Sequence, residues 1–123
     1  MKRLMPILVL LFVASAFSKR TAPPDVNPII DGTTTYSVPA FISDESENQK
    51  GGFVEGRDTK SGKLLWRAKV YTTQYDPRLE RDVQDVFINS MSLDKRLRIL
   101  LLSDEAERVF VLDLDSRKVT LIR

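Results

Sequence analysis

Residues 76–85 hold the densest group of side chains that could perform acid–base chemistry. The charged members of this segment are Asp76, Arg78, Glu80, Arg81, Asp82 and Asp85. A pairing of Glu80 or Asp82 with Asp85 would suit a hydrolase or lyase acting on an envelope polymer, if two carboxylates with separated pKa values faced each other across a cleft. The neighbouring arginines argue against this chemistry, because a nearby guanidinium keeps a carboxylate ionised. We therefore favour a solvated charged segment and keep the hydrolase or lyase as an alternative.

Aromatic side chains just before this segment offer a second kind of site. Alternation along a strand would place Tyr71 and Tyr75 on one face and Trp66 on the other. Sugars stack on aromatic faces, and the guanidiniums of Arg78 and Arg81 follow closely in the sequence. We therefore predict a candidate binding face at Tyr71, Tyr75, Arg78 and Arg81, open to a protein or, less favourably, to a glycan.

Two residue types that carry much of protein chemistry are missing. The sequence contains no histidine and no cysteine, which excludes thiol nucleophiles, His/Cys zinc sites and a Ser-His-Asp triad. The acidic segment 43–50 lacks the ligand spacing and turn glycine of a calcium loop, so we interpret it as a solvated loop. Asp113 is expected to cap a turn rather than bind a metal. We predict a protein that is not an enzyme and that has no catalytic, cofactor-binding or metal-binding residue.

The first 16 residues predict export. Lys2 and Arg3 precede an apolar run at residues 4–17, and small residues at 14–16 suit a signal peptidase. The run is shorter than the roughly 20 residues that span a bilayer, so we expect cleavage after Ala16 or Ser18, no stable membrane span, and a periplasmic or secreted protein. The chain has 19 basic and 17 acidic residues, and because the signal peptide holds two of the basic ones the remainder has 17 of each. This balance argues against nucleic-acid binding.

The rest of the chain predicts one mainly β domain. Prolines dominate residues 17–35, which we interpret as a flexible linker before a β domain at residues 36–123. The expected fold is an antiparallel meander of six to seven strands with one short helical insertion. The predicted strands are residues 36–42, 53–58, 63–71, 86–93, 97–102, 109–114 and 118–122, and the predicted helix is 77–85. Pro39 would confine the first strand to an edge, because proline cannot donate to a strand ladder.

A hairpin near the middle of the chain is the most informative stretch. Asp58 can accept hydrogen bonds from turn amides, and Gly62 suits a position of positive φ. Trp66 stands on the apolar side of the second strand and is expected to anchor the core. An offset of about 55 residues places Asp58 over Asp113, and Ser61 and Lys63 over a matching serine and lysine, so the pattern of strand, Asp, turn and Lys occurs twice.

The residues of this hairpin resemble one blade of the pyrroloquinoline-quinone-type, WD-like β-propeller repeat. The matching segment is 58–66, with its Asp, its Ser-Gly-Lys turn and its Leu-Leu-Trp strand. The resemblance implies that Trp66 is a packing residue between blades. A closed propeller needs at least about four blades, and the chain has material for one to one and a half, so the resemblance implies no enclosed cofactor. The chain, including residues 75–87, also resembles small exported bacterial proteins of unassigned function.

These observations favour an exported, non-enzymatic binding or interaction module that uses a sheet face or edge. The strand at 109–114 is apolar on both faces, so we expect a cover on each side. The strand at 118–122 is a possible edge, and unpaired edges recruit partners. A protein partner or self-association follows from both features. A structural subunit of an assembled β array is a further alternative.

Overall fold

The structure is a computed structural model that describes residues 22–42 and 47–123. The predicted signal peptide, the first part of the predicted linker and residues 43–46 of the predicted polar loop lie outside the described residues. Within them the protein is mainly β, with eight strands and one 3-10 turn. The strands are β1 (Ile29–Asp31), β2 (Thr34–Ser37), β3 (Phe53–Asp58), β4 (Leu64–Lys69), β5 (Ile88–Asp94), β6 (Ile99–Asp104), β7 (Val109–Asp113) and β8 (Val119–Leu121), and the 3-10 turn is Asp82–Gln84.

The strands form two antiparallel sheets of four, and each sheet follows the order of the chain. The first sheet has the order β1-β2-β3-β4 and the second β5-β6-β7-β8. The predicted class, a mainly β antiparallel meander, is confirmed. The described residues contain eight strands rather than the six or seven predicted, because β1 forms before the first predicted strand.

The predicted linker is wrong for its last part, since β1 lies within it and β2 begins there. Asp31 pairs with Thr34 across a tight turn, and Gly32 in that turn has a φ of 60°. Only Gly takes this left-handed conformation without steric cost. The glycine and the threonine run that indicate a linker by composition therefore close a hairpin. The strands are too short to show an alternating pattern.

The first predicted strand, residues 36–42, also has different bounds. β2 ends at Ser37, before Pro39, and it lies between β1 and β3 rather than at an edge. A proline beyond the end of a strand removes no ladder hydrogen bond. The buried member of β2 is Tyr36, which is 5% exposed.

The predicted helix at 77–85 is replaced by an irregular loop with a single 3-10 turn. The N–H of Arg78 donates to Asp76 Oδ1 at 3.0 Å, which is a local turn rather than a helix cap. The Gln84 side-chain amide donates to the carbonyls of Asp76 and Glu80, each at 3.0 Å. These carbonyls would otherwise accept the backbone bonds of a helix, so the side chain of Gln84 organises this loop in its place.

The core lies between the two sheets. The inner face of each sheet is the one that contributes to it: Tyr36 and Val54 in the first sheet, and Leu100, Leu102, Phe110 and Leu112 in the second. Val54, Leu100 and Leu112 are fully buried. Each sheet therefore covers one face of the other, as two-layer packing requires.

Trp66 joins the two sheets. It pairs with Gly56 in the β3–β4 register, and a Cβ atom placed on Gly56 would lie 2.4 Å from the indole. Its ring centroid is 6.1 Å from that of Tyr36 on the next strand. From the second sheet, the guanidinium of Arg117 lies 4.5 Å from the indole centroid. Trp66 is partly buried and packs at the margin of the core.

The β3–β4 hairpin closes with a network of local hydrogen bonds. The N–H of Asp58 donates to the carbonyl of Lys63 at 2.9 Å, and its carboxylate accepts from the N–H and hydroxyl of Ser61 at 2.8 and 2.9 Å. Gly62 has a φ of 76°, the left-handed conformation predicted for it. The aspartate and the glycine together define this turn.

The β7–β8 hairpin repeats that network at an offset of 55 residues. The N–H of Asp113 donates to the carbonyl of Lys118 at 3.0 Å, and its carboxylate accepts from the N–H of Ser116 at 2.9 Å. Arg117 occupies the position of the turn glycine and has a φ of 63°. The weak sequence repeat thus corresponds to a repeated turn, with an arginine in place of the glycine.

Candidate interaction face

The predicted binding face does not form, because Tyr71 belongs to the core. Tyr71 is 7% exposed, its ring stacks on Phe110 at a centroid distance of 5.5 Å, and its hydroxyl donates to the carbonyl of Val86 at 2.7 Å. Burial raises the pKa of Tyr71 above its usual range. The strand β4 ends at Lys69, so the alternation that places Tyr71 and Tyr75 on one face does not extend to them.

Tyr75 lies instead in a compact polar cluster with Arg81 and Asp85. Its hydroxyl donates to Asp85 Oδ1 at 2.5 Å, and the guanidinium of Arg81 lies 3.7 Å from its ring centroid. Arg81 also donates to the carbonyl of Asn48. Burial, followed by the hydrogen bond to Asp85, raises the pKa of Tyr75 to about 12. The cluster fastens the loop before β5 to the loop before β3.

The remaining charged candidates lie apart. Arg78 pairs with Asp76 at 2.9 Å and its side chain is 85% exposed. Glu80 and Asp82 are exposed, whereas Asp85 is buried and accepts from the tyrosine. Across residues 22–42 and 47–123 no group of three or more Asp and Glu side chains could hold a metal ion.

A different surface collects uncovered apolar side chains, namely the outer face of the second sheet. Because Leu100 and Leu112 pair on the inner face, Leu101 and its partner Val111 lie on the outer face. The register extends this row to both edge strands, with Ser92 beside Leu101 and Thr120 beside Val111. Leu101 is 42% exposed. The row crosses all four strands without a charged residue.

A parallel row widens this face. Ser90 pairs with Ser103, which pairs in turn with Val109. The hydroxyls of Ser90 and Ser103 share a hydrogen bond, and Ser103 donates to Asn89 Oδ1 at 2.9 Å. A shallow groove of about 300 Å³ runs between the two rows, lined by Ser90, Met91, Ser92, Leu101, Leu102, Ser103, Val109 and Arg123. The hydroxyls of Ser90 and Ser103 are thus already hydrogen-bonded to each other.

Charged residues lie on both sides of the row through Leu101 and Val111. On one side Arg123, whose carbonyl accepts from the N–H of Val109 at 2.9 Å, lines the groove. On the other side the next row pairs Asp94 and Asp113 with Ile99 between them. Both carboxylates accept backbone N–H groups of their own turns, Asp94 from Leu97 at 3.0 Å and Asp113 from Asp115 at 2.9 Å. The centre of the face is therefore uncharged, with short polar and branched apolar side chains.

The outer face of the first sheet has the opposite character. Glu55 is 4% exposed there and lies between two arginines. Its Oε2 accepts from Arg67 at 2.8 and 2.9 Å, and its Oε1 accepts from Arg57 at 3.0 and 3.2 Å. Lys69 pairs with Glu47 on the same side at 2.8 Å. Around Glu55 this face is a network of ion pairs.

The sequence predicts a cover on both sides of the strand at 109–114, and residues 22–42 and 47–123 supply only one. Phe110, Leu112 and Leu114 are buried, whereas Val109 and Val111 are partly exposed on the outer face. In the sequence, this surface is indicated by two neighbouring strands that are apolar on both faces. Sequence reasoning does not identify its polar members, because isolated Ser and Thr residues carry no signal of their own.

Comparison with known proteins does not identify the chain. No protein-family model, no curated protein and no solved structure matches it. Among the residues with a described structure, none forms a helix long and apolar enough to cross a membrane.

Proposed function

We propose that the chain is an exported, non-enzymatic binding module that engages a protein partner through the outer face of the second sheet. Export rests on the N-terminal pattern of charged, apolar and small residues in the sequence. The absence of His and Cys from the sequence supports a non-enzymatic role, because it removes the most versatile acid–base and nucleophilic groups.

One observation carries the choice of surface. The row through Leu101 and Val111 is uncharged across the whole sheet, and Leu101 remains 42% exposed. Contiguous apolar surface with a polar rim is typical of sites where proteins associate. Burying Ser90 and Ser103 costs little, because their hydroxyls bond to neighbouring side chains.

The experiment compares capture of partners by matched variants. The immobilised chain is incubated with the envelope fraction of the exporting cell, and bound proteins are identified by mass spectrometry. Leu101→Lys places a charge at the centre of the outer face of the second sheet. Leu65→Lys makes the same change on the outer face of the first sheet, where Leu65 is 52% exposed.

The proposal predicts that the immobilised chain captures a set of proteins, in which further copies of this chain are counted. This capture should be lost with Leu101→Lys and retained with Leu65→Lys. Lysine opposes association because burying its ammonium without a partner is costly. Capture that survives Leu101→Lys contradicts the proposal, provided that the variant has the circular dichroism spectrum of the parent chain.

A second candidate function is a structural subunit of an assembled β array. It is supported by the repetition of a four-stranded meander and by the matching hairpins at Asp58 and Asp113. Each sheet resembles a propeller blade in strand number and order. An array that extends in both directions would use both outer faces, so Leu65→Lys and Leu101→Lys would disrupt it equally.

A further inference from the structure

We infer that one end of the molecule, formed by its four hairpin turns, binds the surface of an anionic lipid bilayer. The turns are residues 31–34, 58–63, 94–98 and 113–118, and together they are named the turn end. The inference goes beyond the proposed function and uses a different surface. Because hairpin turns lie at the ends of strands, contact through them leaves the outer face of the second sheet open to a protein partner.

The topology and the contacts between turns place all four at the same end of the molecule. Each sheet is an antiparallel meander, so its first and third connections lie at one end and its second at the other. In the first sheet the N–H of Thr59 donates to the carbonyl of Thr33 at 2.8 Å. Lys95 of the second sheet pairs with Asp31 of the first at 3.3 Å. This ion pair brings the turns of the two sheets together.

The turn end presents positive charge that has no partner. The four turns contain seven Lys and Arg residues and five Asp residues. Asp31 and Asp115 are held in ion pairs, and the other three carboxylates accept N–H groups of their own turns. Four cations are exposed and form no ion pair with any residue in 22–42 or 47–123, namely Lys60, Lys63, Arg96 and Lys118. Unpaired cations on one surface attract a surface of negative charge.

The connections at the opposite end carry the opposite charge. Their described residues, 38–42, 47–52, 70–87 and 105–108, contain seven carboxylates and four cations. An anionic surface therefore orients the molecule with the turn end towards it. An exposed apolar side chain at the acidic end, such as Leu79, lies among carboxylates that the same surface repels.

Leu97 favours a lipid surface over a soluble polyanion. Within the four turns it is the exposed large apolar residue, at 56%, and it lies between Arg96 and Arg98 in the sequence. Its N–H donates to Asp94 Oδ1 at 3.0 Å, which fixes the turn that carries it. A soluble polyanion makes no use of an apolar side chain, whereas the boundary between headgroups and acyl chains accepts one. Free cations around an exposed leucine are suited to that boundary.

The first experiment is cosedimentation of the chain with lipid vesicles. The chain is purified after export, so that any processing of its N-terminus is complete. The vesicles contain either phosphatidylcholine alone or equal parts of phosphatidylcholine and the anionic phosphatidylglycerol. We expect binding to the mixed vesicles only, and release at about 1 M salt, where the Debye length falls to about 3 Å.

Matched variants test which end is in contact. Lys63→Gln and Arg96→Gln should each weaken binding to the mixed vesicles about fivefold, the effect of one cation near an anionic surface. Lys50→Gln removes an exposed cation from the acidic end and should leave binding within experimental error. Leu97→Ala should weaken vesicle binding at least about threefold. It should not change binding to soluble polyphosphate. Each variant should have the circular dichroism spectrum of the parent chain, because all four side chains are exposed.

The second experiment uses the absence of cysteine from the sequence. Leu97→Cys and Leu79→Cys each receive the environment-sensitive fluorophore nitrobenzoxadiazole. Mixed vesicles should increase the emission and shift it to shorter wavelength for the label at residue 97. The label at residue 79, at the acidic end, should not respond.

The inference is overturned if the mixed vesicles do not bind the chain, or if phosphatidylcholine alone binds it equally well. Binding that neither Lys63→Gln nor Arg96→Gln weakens would also overturn it. If polyphosphate binds as strongly as the vesicles and Leu97→Ala changes neither, the turn end recognises a soluble polyanion and the lipid surface is wrong. None of these outcomes affects capture of a protein through the outer face of the second sheet, so the proposed function is tested separately.

Discussion

The side chain of Trp66 contacts both sheets. On its own sheet it lies against Gly56, whose missing side chain leaves room for the indole. From the other sheet it receives the guanidinium of Arg117, at 4.5 Å from its centroid. A cation over an indole contributes roughly 0.5–1 kcal/mol at an exposed site. The residue therefore fixes the position of the two sheets relative to each other at the margin of the core.

This geometry predicts a strong dependence of stability on Gly56. In Gly56→Ala the new methyl group would lie 2.4 Å from the indole, so the ring must move. We expect a loss of about 1–3 kcal/mol in the free energy of unfolding, measured by urea denaturation and tryptophan fluorescence. In a Trp66→Leu background the same change should cost less, because the indole is gone. Equal costs in both backgrounds would show that the two residues are not coupled.

The turn aspartates predict a dependence of stability on acid pH. Hydrogen bonds from Ser61 lower the pKa of Asp58, and backbone N–H groups of Ser116 and Asp115 lower the pKa of Asp113. When the folded pKa is the lower one, the unfolded chain binds more protons, so stability is present above the ordinary value of 3.8 and lost as pH falls through the folded pKa.

We therefore expect the melting temperature to fall below about pH 4, the ordinary range of an Asp carboxyl. Asp58→Asn combined with Asp113→Asn should weaken this dependence, because an amide does not titrate there. The measurement is thermal denaturation by circular dichroism from pH 6 to pH 2. An unchanged slope in the double variant would argue that other carboxylates control acid denaturation.

At the scale of elements, the connection between the sheets depends on one buried amide. Gln49, 8% exposed, donates from Nε2 to the carbonyls of Gly51 and Tyr71 at 2.8 and 2.9 Å. Its Oε1 accepts from the N–H of Thr73 at 2.7 Å. The loop before β3 thus holds the chain as it leaves β4 for the second sheet.

Removing this amide should destabilise the protein. Gln49→Ala leaves two buried carbonyls and one N–H without these partners, and we expect a loss of about 1–3 kcal/mol. Gln74→Ala is the matched control, since Gln74 is exposed on the same connection. Chemical denaturation of both variants tests the assignment, which would fail if Gln74→Ala cost as much as Gln49→Ala.

Elements with a clear period were predictable from the sequence, and those defined by single contacts were not. The alternation around Trp66 predicts β4, and the apolar runs near Leu100 and Leu112 predict β6 and β7. β1 and β2 are too short to alternate, and Gln84 replaces the predicted helix by bonding to its carbonyls. Such a competition between a side chain and the backbone is decided by tertiary geometry.

The site was predictable only in part, for a related reason. The doubly apolar pattern at 109–114 indicates the apolar outer face on which Val109 and Val111 are partly exposed, and its role as an interface stays a prediction. The choice of Tyr71 and Tyr75 fails because the chain leaves the sheet at Lys69, which no local pattern marks. The position of Ser92 beside Leu101 depends on the register of the β5–β6 hairpin, which the apolar pattern does not specify.

At the scale of the whole molecule, the two sheets should behave as one folding unit. Neither sheet encloses a core alone, because Val54 and Tyr36 of the first pack with Leu100 and Leu112 of the second. Long-range packing of this kind produces a single cooperative transition in small domains.

A substitution in one sheet should therefore be detected in the other. Leu100 is fully buried in the second sheet, and Leu100→Ala should cost about 2–5 kcal/mol. Because Trp66 is the only tryptophan of the sequence, its fluorescence reports on the first sheet. We expect its urea midpoint to fall together with that of circular dichroism. Leu97→Ala, at a residue that is 56% exposed, should change neither. A fluorescence midpoint unmoved by Leu100→Ala would mean that the sheets unfold separately.

The two matching turns have a consequence for engineering. Gly62 adopts its left-handed backbone freely, whereas Arg117 adopts the same conformation at a steric cost. In Arg117→Gly the hairpin itself should become more favourable while the indole loses its cation. Amide hydrogen exchange should then become slower in the β7–β8 turn. It should become faster at the backbone N–H groups around Trp66 in the first sheet. Optimising the β7–β8 hairpin alone would thus weaken the contact between the two sheets. Stabilising this turn and stabilising the protein are therefore different design goals.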